Sequence, residues 1–199
     1  VSDFFDVVTR QRAHRRFSDT PLDDADVARV LEAATYAPSA ENRQPWVFVV
    51  VRDPDLRAQI LDLTEKAWAG GGRAFAEQRL DKQLLDDVDQ GIAGGGYRSA
   101  PVLVVVAVDL QRGLEETVAS SIFPAVQNLL LAATAIGLGS ALTTITMAFG
   151  DEIGTLLDLP ATVRPEGVIP LGHPAKPLGK PKREPFGEHT HRDRYGNSW

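Results

Sequence analysis

The stretch YAPSAENRQPWVFVVV, residues 36–51, leaves an amphipathic helix, runs through Pro38, Ser39, Asn42, Gln44 and Pro45, and enters almost pure hydrocarbon. Upstream, Val27, Val30, Leu31 and Ala34 recur at the helical period, and Asp23, Asp24 and Asp26 suit a helix N-terminus. Pro38 stops that helix. Downstream, Trp46 to Val51 is aromatic and β-branched with both faces apolar, which predicts an interior strand.

Working outward, Ser2 is the expected cap of a first helix with Phe5 and Val8 on one face. Asp53-Pro54 predicts a capped helix to about Ala69. Pro101 opens a second strand, Val102 to Val108, and Val163 to Leu171 reads as a third. The helix from about Ser121 to Ile136 is so apolar that burial all round is expected, in a subunit interface rather than in one chain's core. A short helix from Asp151 to Leu159 precedes Pro160. The fold class is therefore α+β, a sheet covered by helices, in a single domain over 1–199. Gly70-Gly71-Gly72 and Gly94-Gly95-Gly96 bracket residues 70–96, the expected lid or interface excursion. Residues 172–199 lack apolar periodicity and read as an extended surface tail.

Composition excludes several functions. Without cysteine, there is no disulfide, thiolate nucleophile or cysteine-bound metal. Residues 17–175 carry 22 acids against 11 bases, an unfavourable surface for nucleic acid or anionic membrane. Apolar runs fall short of the roughly 20 residues of a membrane span, and Ser2 to Arg16 lacks a signal-peptide core, so a cytoplasmic location is expected. The bases gather at two ends: Arg10, Arg12, Arg15 and Arg16, and then Lys176, Lys180, Lys182, Arg183, Arg192 and Arg194. If the fold unites them, they suit a small anion. The plainer reading is two solvated ends.

Three stretches carry candidate chemistry. Arginine forks at 12–16 match a phosphate, although cations also suit a helix C-terminus. Ser39, Asn42 and Gln44 match a heteroaromatic edge with alternating donors and acceptors, or form an ordinary turn. Gly137 to Thr144 offers backbone N–H groups and hydroxyls, or merely a helix cap. There is no GxGxxG, P-loop, HExxH or GxSxG. His189-Thr190-His191 in a polar tail reads as surface rather than as a metal site. No catalytic acid pair stands out, so a cofactor is the expected source of chemistry.

QRAHRRF at 11–17, APSAENRQPW at 37–46, FPAVQNLLLAATAIGLGS at 123–140 and LGHPAKP at 171–177 together resemble the nitroreductase family of FMN-dependent oxidoreductases. The resemblance implies a three-layer fold with a central mixed sheet flanked by helices. It also implies an intertwined homodimer with two noncovalent FMN sites at the interface. Arg12 and Arg15 would reach the phosphate or the pyrimidine edge, with Arg16 beside them, and Ala13 would offer its backbone. Pro38, Ser39 and Asn42 would come from the same or the facing subunit. Leu142, Thr143 and Thr144 would face flavin N5, and Lys182 or Arg183 would close on the phosphate. No catalytic residue is assigned beyond support from Arg15 and Thr143. Ala13, Gln11 and Glu184 depart from the serine and arginines common at these positions.

The implied reaction is reduction of a small nitroaromatic or quinone-like acceptor by NADH or NADPH, in two half-reactions on one FMN. Tyr36, Trp68, Phe75, Tyr97 and Phe149 are candidates to shape the ring cavity, against core packing as their commoner use. Alternatives are another reaction on the same fold (dehalogenation, enone reduction, flavin destruction or azoline oxidation), a deazaflavin variant, or a non-catalytic flavin-binding dimer.

Overall fold

The computed structural model describes residues 3–199, so the expected Ser2 cap lies outside the described residues. Helices are α1 (Phe4–Arg10), α2 (Asp24–Thr35), α3 (Pro54–Ala67), α4 (Arg73–Glu77), α5 (Lys82–Gly91), α6 (Val118–Ala135) and α7 (Gly150–Leu156). Strands are β1 (Trp46–Val51), β2 (Val102–Asp109), β3 (Gly139–Ser140) and β4 (Val163–Gly172), in the order β1-β2-β4-β3.

Strand β2 explains the layers. Residues Val102 to Val108 are wholly buried, and alternate side chains point to opposite faces. Val102, Val104, Val106 and Val108 meet α2 and α6 through Val30, Ile122 and Leu129. Leu103 and Val105 meet Ile60, Leu61, Leu85 and Ile153 of α3, α5 and α7. Each fully buried Val or Leu contributes about 1.5–3 kcal/mol relative to exposure. The result is helix, sheet, helix.

The resemblance implies a mixed sheet. The four strands here pair antiparallel throughout, and among the described residues parallel pairing enters only as the isolated bridge between Ala13 and Ser140. Strand β1 is an outer strand rather than an interior one. Its two apolar faces are real, because Trp46, Phe48 and Val50 pack on one core and Val49 and Val51 on the other. Apolar faces report covering layers; they carry no information on whether a neighbouring strand is paired.

Asp53 caps α3 as expected, accepting from the N–H groups of Asp55 and Leu56 at 2.9 and 2.8 Å. In α1, Val7 is the buried residue, while Phe4, Phe5 and Val8 face outward. Helix α6 is not buried all round within the chain. Ile122, Ala125, Val126, Leu129, Leu130 and Ala133 face inward, whereas Phe123, Gln127 and Ala135 are exposed. By length and composition, Glu115–Ala135 could cross a membrane, with a mean hydropathy of 1.4. Ser, Thr, Gln and Asn interrupt its apolar run, and its inner face packs on β2.

Segment 70–96 is anchored at both ends. Trp68 is buried before a π-type turn at Trp68–Gly72, and Ile92 and Tyr97 are buried after α5. Gly71 has φ 141°, which only glycine takes without strain. Between the anchors, Phe75 and Leu84 are exposed.

Replacing wholly buried Leu129 by alanine should cost about 2–5 kcal/mol and lower the urea midpoint accordingly. An unchanged midpoint would place Leu129 on the outer face of α6.

Candidate functional site

The chain segment after α1 is held by the two halves of the fold at once. His14 N–H donates to Ser140 O at 2.9 Å, and Phe17 N–H to the Ser99 hydroxyl at 3.0 Å. Ser18 N–H donates to His173 O and Ala175 N–H to Arg16 O, at 2.9 and 3.1 Å. Arg12 Nη1 donates to Gly179 O at 3.0 Å. These bonds lay the first basic stretch alongside the start of the second. Arg16 is exposed next to the tail, and Lys182 and Arg183 are exposed a few residues beyond Gly179.

Arg15 is the most constrained of these cations. Its Nη1 pairs with the Asp87 carboxylate of α5, and its cation acts on the Tyr97 hydroxyl. Burial raises the Tyr97 pKa above its ordinary value, against the opposing pull of Arg15. The floor under Arg15 is glycine. A Cβ on Gly91 would lie 2.8 Å from Arg15 Cβ and Cδ, and one on Gly96 would lie 2.2 Å from Arg15 O. Arg15 Nε is buried with no hydrogen-bond partner among the described residues. Such an unmet donor costs about 1–3 kcal/mol, which makes this a place suited to a ligand acceptor.

On the other side of this stretch, Thr143 is buried and exchanges both backbone hydrogen bonds with Val168 at 2.9 Å. Its backbone is already used, whereas Thr144 is exposed and Leu142 half-buried. The 38–45 loop is a 3-10 turn at Ala40–Asn42 with positive φ at Glu41, Asn42 and Gln44. The Ser39 hydroxyl accepts from Gln44 N–H at 3.0 Å, and Asn42 Oδ1 accepts from Gln44 Nε2 at 3.3 Å. Ser39 thus builds the turn, while Pro38 and Asn42 stand exposed.

The two groups lie at opposite corners of the sheet. The loop ends at β1, where Trp46 opposes Val108; Ala13 meets Ser140, which opposes Leu171, itself opposite Val102. Three strand spacings span about 14 Å, and the run from Val102 to Val108 spans about 20 Å. Helix α6 measures the same diagonal. Near its start, the Ser121 hydroxyl accepts from Ala40 N–H at 3.2 Å; beyond its end comes Gly139. Its 18 residues span about 27 Å. The short side chains of Ser39 and Asn42 do not reach a ligand held by Arg12 and Arg15 of the same chain.

The aromatic candidates also divide. Tyr97 lies against Arg15, and Trp68 Nε1 donates to Asp89 of α5 at 2.7 Å. Phe75 is covered by Arg79 at 4.8 Å, Phe149 by Lys66 at 4.5 Å, and Tyr36 is exposed at the 38–45 corner. A cavity of about 600 Å³ lined by Leu110, Asp158, Pro160 and Arg164 sits at the far end of β4 from Ser140; the arginine site does not line it. Asp87 and Ser99 were not among the sequence candidates. Asp87 is 72 residues from Arg15, and no local motif links them.

Burial, then the Arg12 cation, lower the His14 pKa, and Asp87 partly offsets them. A lowered pKa means that the folded chain binds fewer protons than the unfolded one. The resulting stability is full above the free imidazole value, about 6.5, and is lost as pH falls through the folded value. Melting temperatures between about pH 5 and pH 8 should drop more steeply on the acid side for the wild type than for His14→Gln. Parallel curves would contradict the burial of His14 as a neutral ring.

The Nitroreductase family model matches residues 8–173. An iodotyrosine deiodinase of Thermotoga neapolitana is 31% identical over 181 residues, covering 89% of this chain and 91% of that protein. A 5,6-dimethylbenzimidazole synthase of Rhodospirillum rubrum is 31% identical over 191 residues, covering 92% and 87%. A solved structure of oxidised iodotyrosine deiodinase bound to FMN and 3-iodo-L-tyrosine superposes with a TM-score of 0.73 at 27% identity, covering 98% of this chain and all of that one. With the arginine stretch, the polar loop and all four strands inside the matched region, the chain belongs to the Nitroreductase family.

Proposed function

We propose that this chain is a flavin-dependent oxidoreductase that binds FMN between two copies and uses NADH or NADPH to reduce nitroaromatic or quinone-like acceptors. The observation that carries the reading is the Arg12–Arg16 stretch, pinned between Ser140 and the basic tail, with a buried Arg15 donor lacking a partner. Arginines preorganised in this way suit a phosphate at one end and carbonyl acceptors at the other.

The residues fit the group. Arg12 and Arg16, with Lys182 and Arg183 from the tail, hold the phosphate. Arg15 would donate at the pyrimidine edge, where its cation would favour an anionic group. Thr144 and Leu142 border the ring. When bound, FMN supplies the two-electron chemistry; the protein binds, orients and shields it.

The second copy is part of the proposal. A ligand on Arg12 and Arg15 meets Pro38 and Asn42 only if another chain brings that corner across. Helix α6 carries no charge between Val118 and Ala135, and its outward Phe123 lies on the helix that packs against α1 with outward Phe4, Phe5 and Val8. An uncharged outer helix face beside exposed Phe4, Phe5 and Val8 favours association. It forms a surface on which two copies can bury both helices.

A second reading is dehalogenation of an aromatic substrate. It is favoured by the deiodinase relative at 31% identity and the deiodinase structure at 27%. Supplying reductant with 3-iodotyrosine or a nitroaromatic separates the two: iodide release supports the second reading, nitro consumption the first.

The chain should retain added FMN through desalting, with the chromophore identified by mass, and Arg12→Ala should raise the dissociation constant by at least about tenfold. A colourless wild type contradicts the FMN reading; unchanged affinity in Arg12→Ala contradicts the phosphate assignment.

A further inference from the structure

Helix α5 joins the arginine site to the glycine-rich turn. Asp87 and Gly91 are four residues apart and therefore share a helix face. That face receives Arg15: Asp87 pairs with Nη1, and Gly91 leaves room for the aliphatic stem. Asp89, on the opposite face of the helix, accepts from Trp68 Nε1 at 2.7 Å and from Arg73 Nε at 2.9 Å. These two residues flank the Trp68–Gly72 turn. The loop after α5 returns under Arg15 as Gly96 and Tyr97, and Gly96 N–H donates to Gln90 O at 3.0 Å. Asp87 thus holds the Arg15 head, and Gly91 and Gly96 border its stem and backbone.

The Asp87 contact has an electrostatic effect besides a steric one. Asp87 is half-exposed, while the Arg15 side chain is 17% exposed, so the pair sits at the edge of the low-dielectric region. A carboxylate on one end of the guanidinium offsets the field that its other end presents. Nε and Nη2 keep their direction as donors but act with a weaker net positive charge.

We propose that Asp87 is the positioning residue for Arg15, and that its charge sets the preference of the site for reduced over oxidised flavin. The inference rests on the FMN reading of the arginine site. With Asp87 present, Arg15 is aimed and partly neutralised, which lowers its preference for the form carrying negative charge at the pyrimidine edge. Removing the Asp87 charge leaves Arg15 uncompensated and strengthens that preference.

The test measures dissociation constants of oxidised and of reduced FMN for the wild type, Asp87→Asn, Arg15→Gln and the double variant. Asp87→Asn should raise the ratio of oxidised to reduced constants about tenfold, equivalent to about 30 mV for a two-electron couple. Asp87→Glu, which keeps the charge, should stay near the wild-type ratio. The double variant should match Arg15→Gln alone, since Asp87 acts through Arg15. If Asp87→Asn fails to fold, the double variant, which buries no unpaired cation, and Asp87→Glu still decide. A double variant differing from Arg15→Gln, or an Asp87→Glu ratio moved as far as Arg15→Gln moves it, overturns the proposal. An unchanged ratio in folded Asp87→Asn overturns it while leaving the FMN reading intact. A wild type that binds neither form of FMN overturns both.

Discussion

Burial of β2 on both faces is the constraint from which the rest follows. Its valines have no exposed surface, so helices must cover each side and strands must flank each edge. Strand β1 takes one edge and β4 the other, which leaves two-residue β3 as the outer strand beyond β4. The polar loop before β1 and the arginine stretch beside β3 are thereby fixed at opposite corners. Helix α6 crosses between those corners and fills the groove over β2, with Ser121 near one end and Ala133 near the other.

The second constraint is the joining of the chain's two ends. Backbone bonds from His14 and Ser18 to Ser140 and His173 act as a clamp, so Arg12 and the tail around Gly179 are set together by main-chain geometry. Side-chain ion pairs alone would be weak and salt-sensitive at such exposed positions. A site framed by backbone can hold several like charges close, and an anionic ligand relieves their mutual repulsion.

Much of this was legible in residues. The period of Val27, Val30 and Ala34, the Asp53-Pro54 cap and the two long valine-rich strands each state their element through local chemistry. The basic ends suit a small anion if the fold unites them, and Arg12 does reach the tail at Gly179 O. Other features were not legible. Gly139–Ser140 is too short for any periodicity, yet it is the strand that grips the arginine segment. The outward stripe of α6 is uncharged, so its sequence looks buried where one chain leaves it exposed. The Ser39 hydroxyl accepts from Gln44 N–H, a turn contact tied to the positive φ of Gln44 that composition does not reveal. Asp87 looked like any solvating acid on a polar helix; only the long-range return of α5 brings it to Arg15.

The proposed FMN site needs Arg12 of one copy and Asn42 of another. Mixing Arg12→Ala chains with Asn42→Gly chains, then counting FMN bound per mixed dimer, tests it most directly. Glycine at 42 keeps the positive φ while removing the side chain. In a shared arrangement, one site of the mixed dimer carries both substitutions and the other carries neither, so tight FMN binding returns at one site per dimer. If both residues served a site within one chain, each site would keep one substitution, and mixing would restore no tight binding.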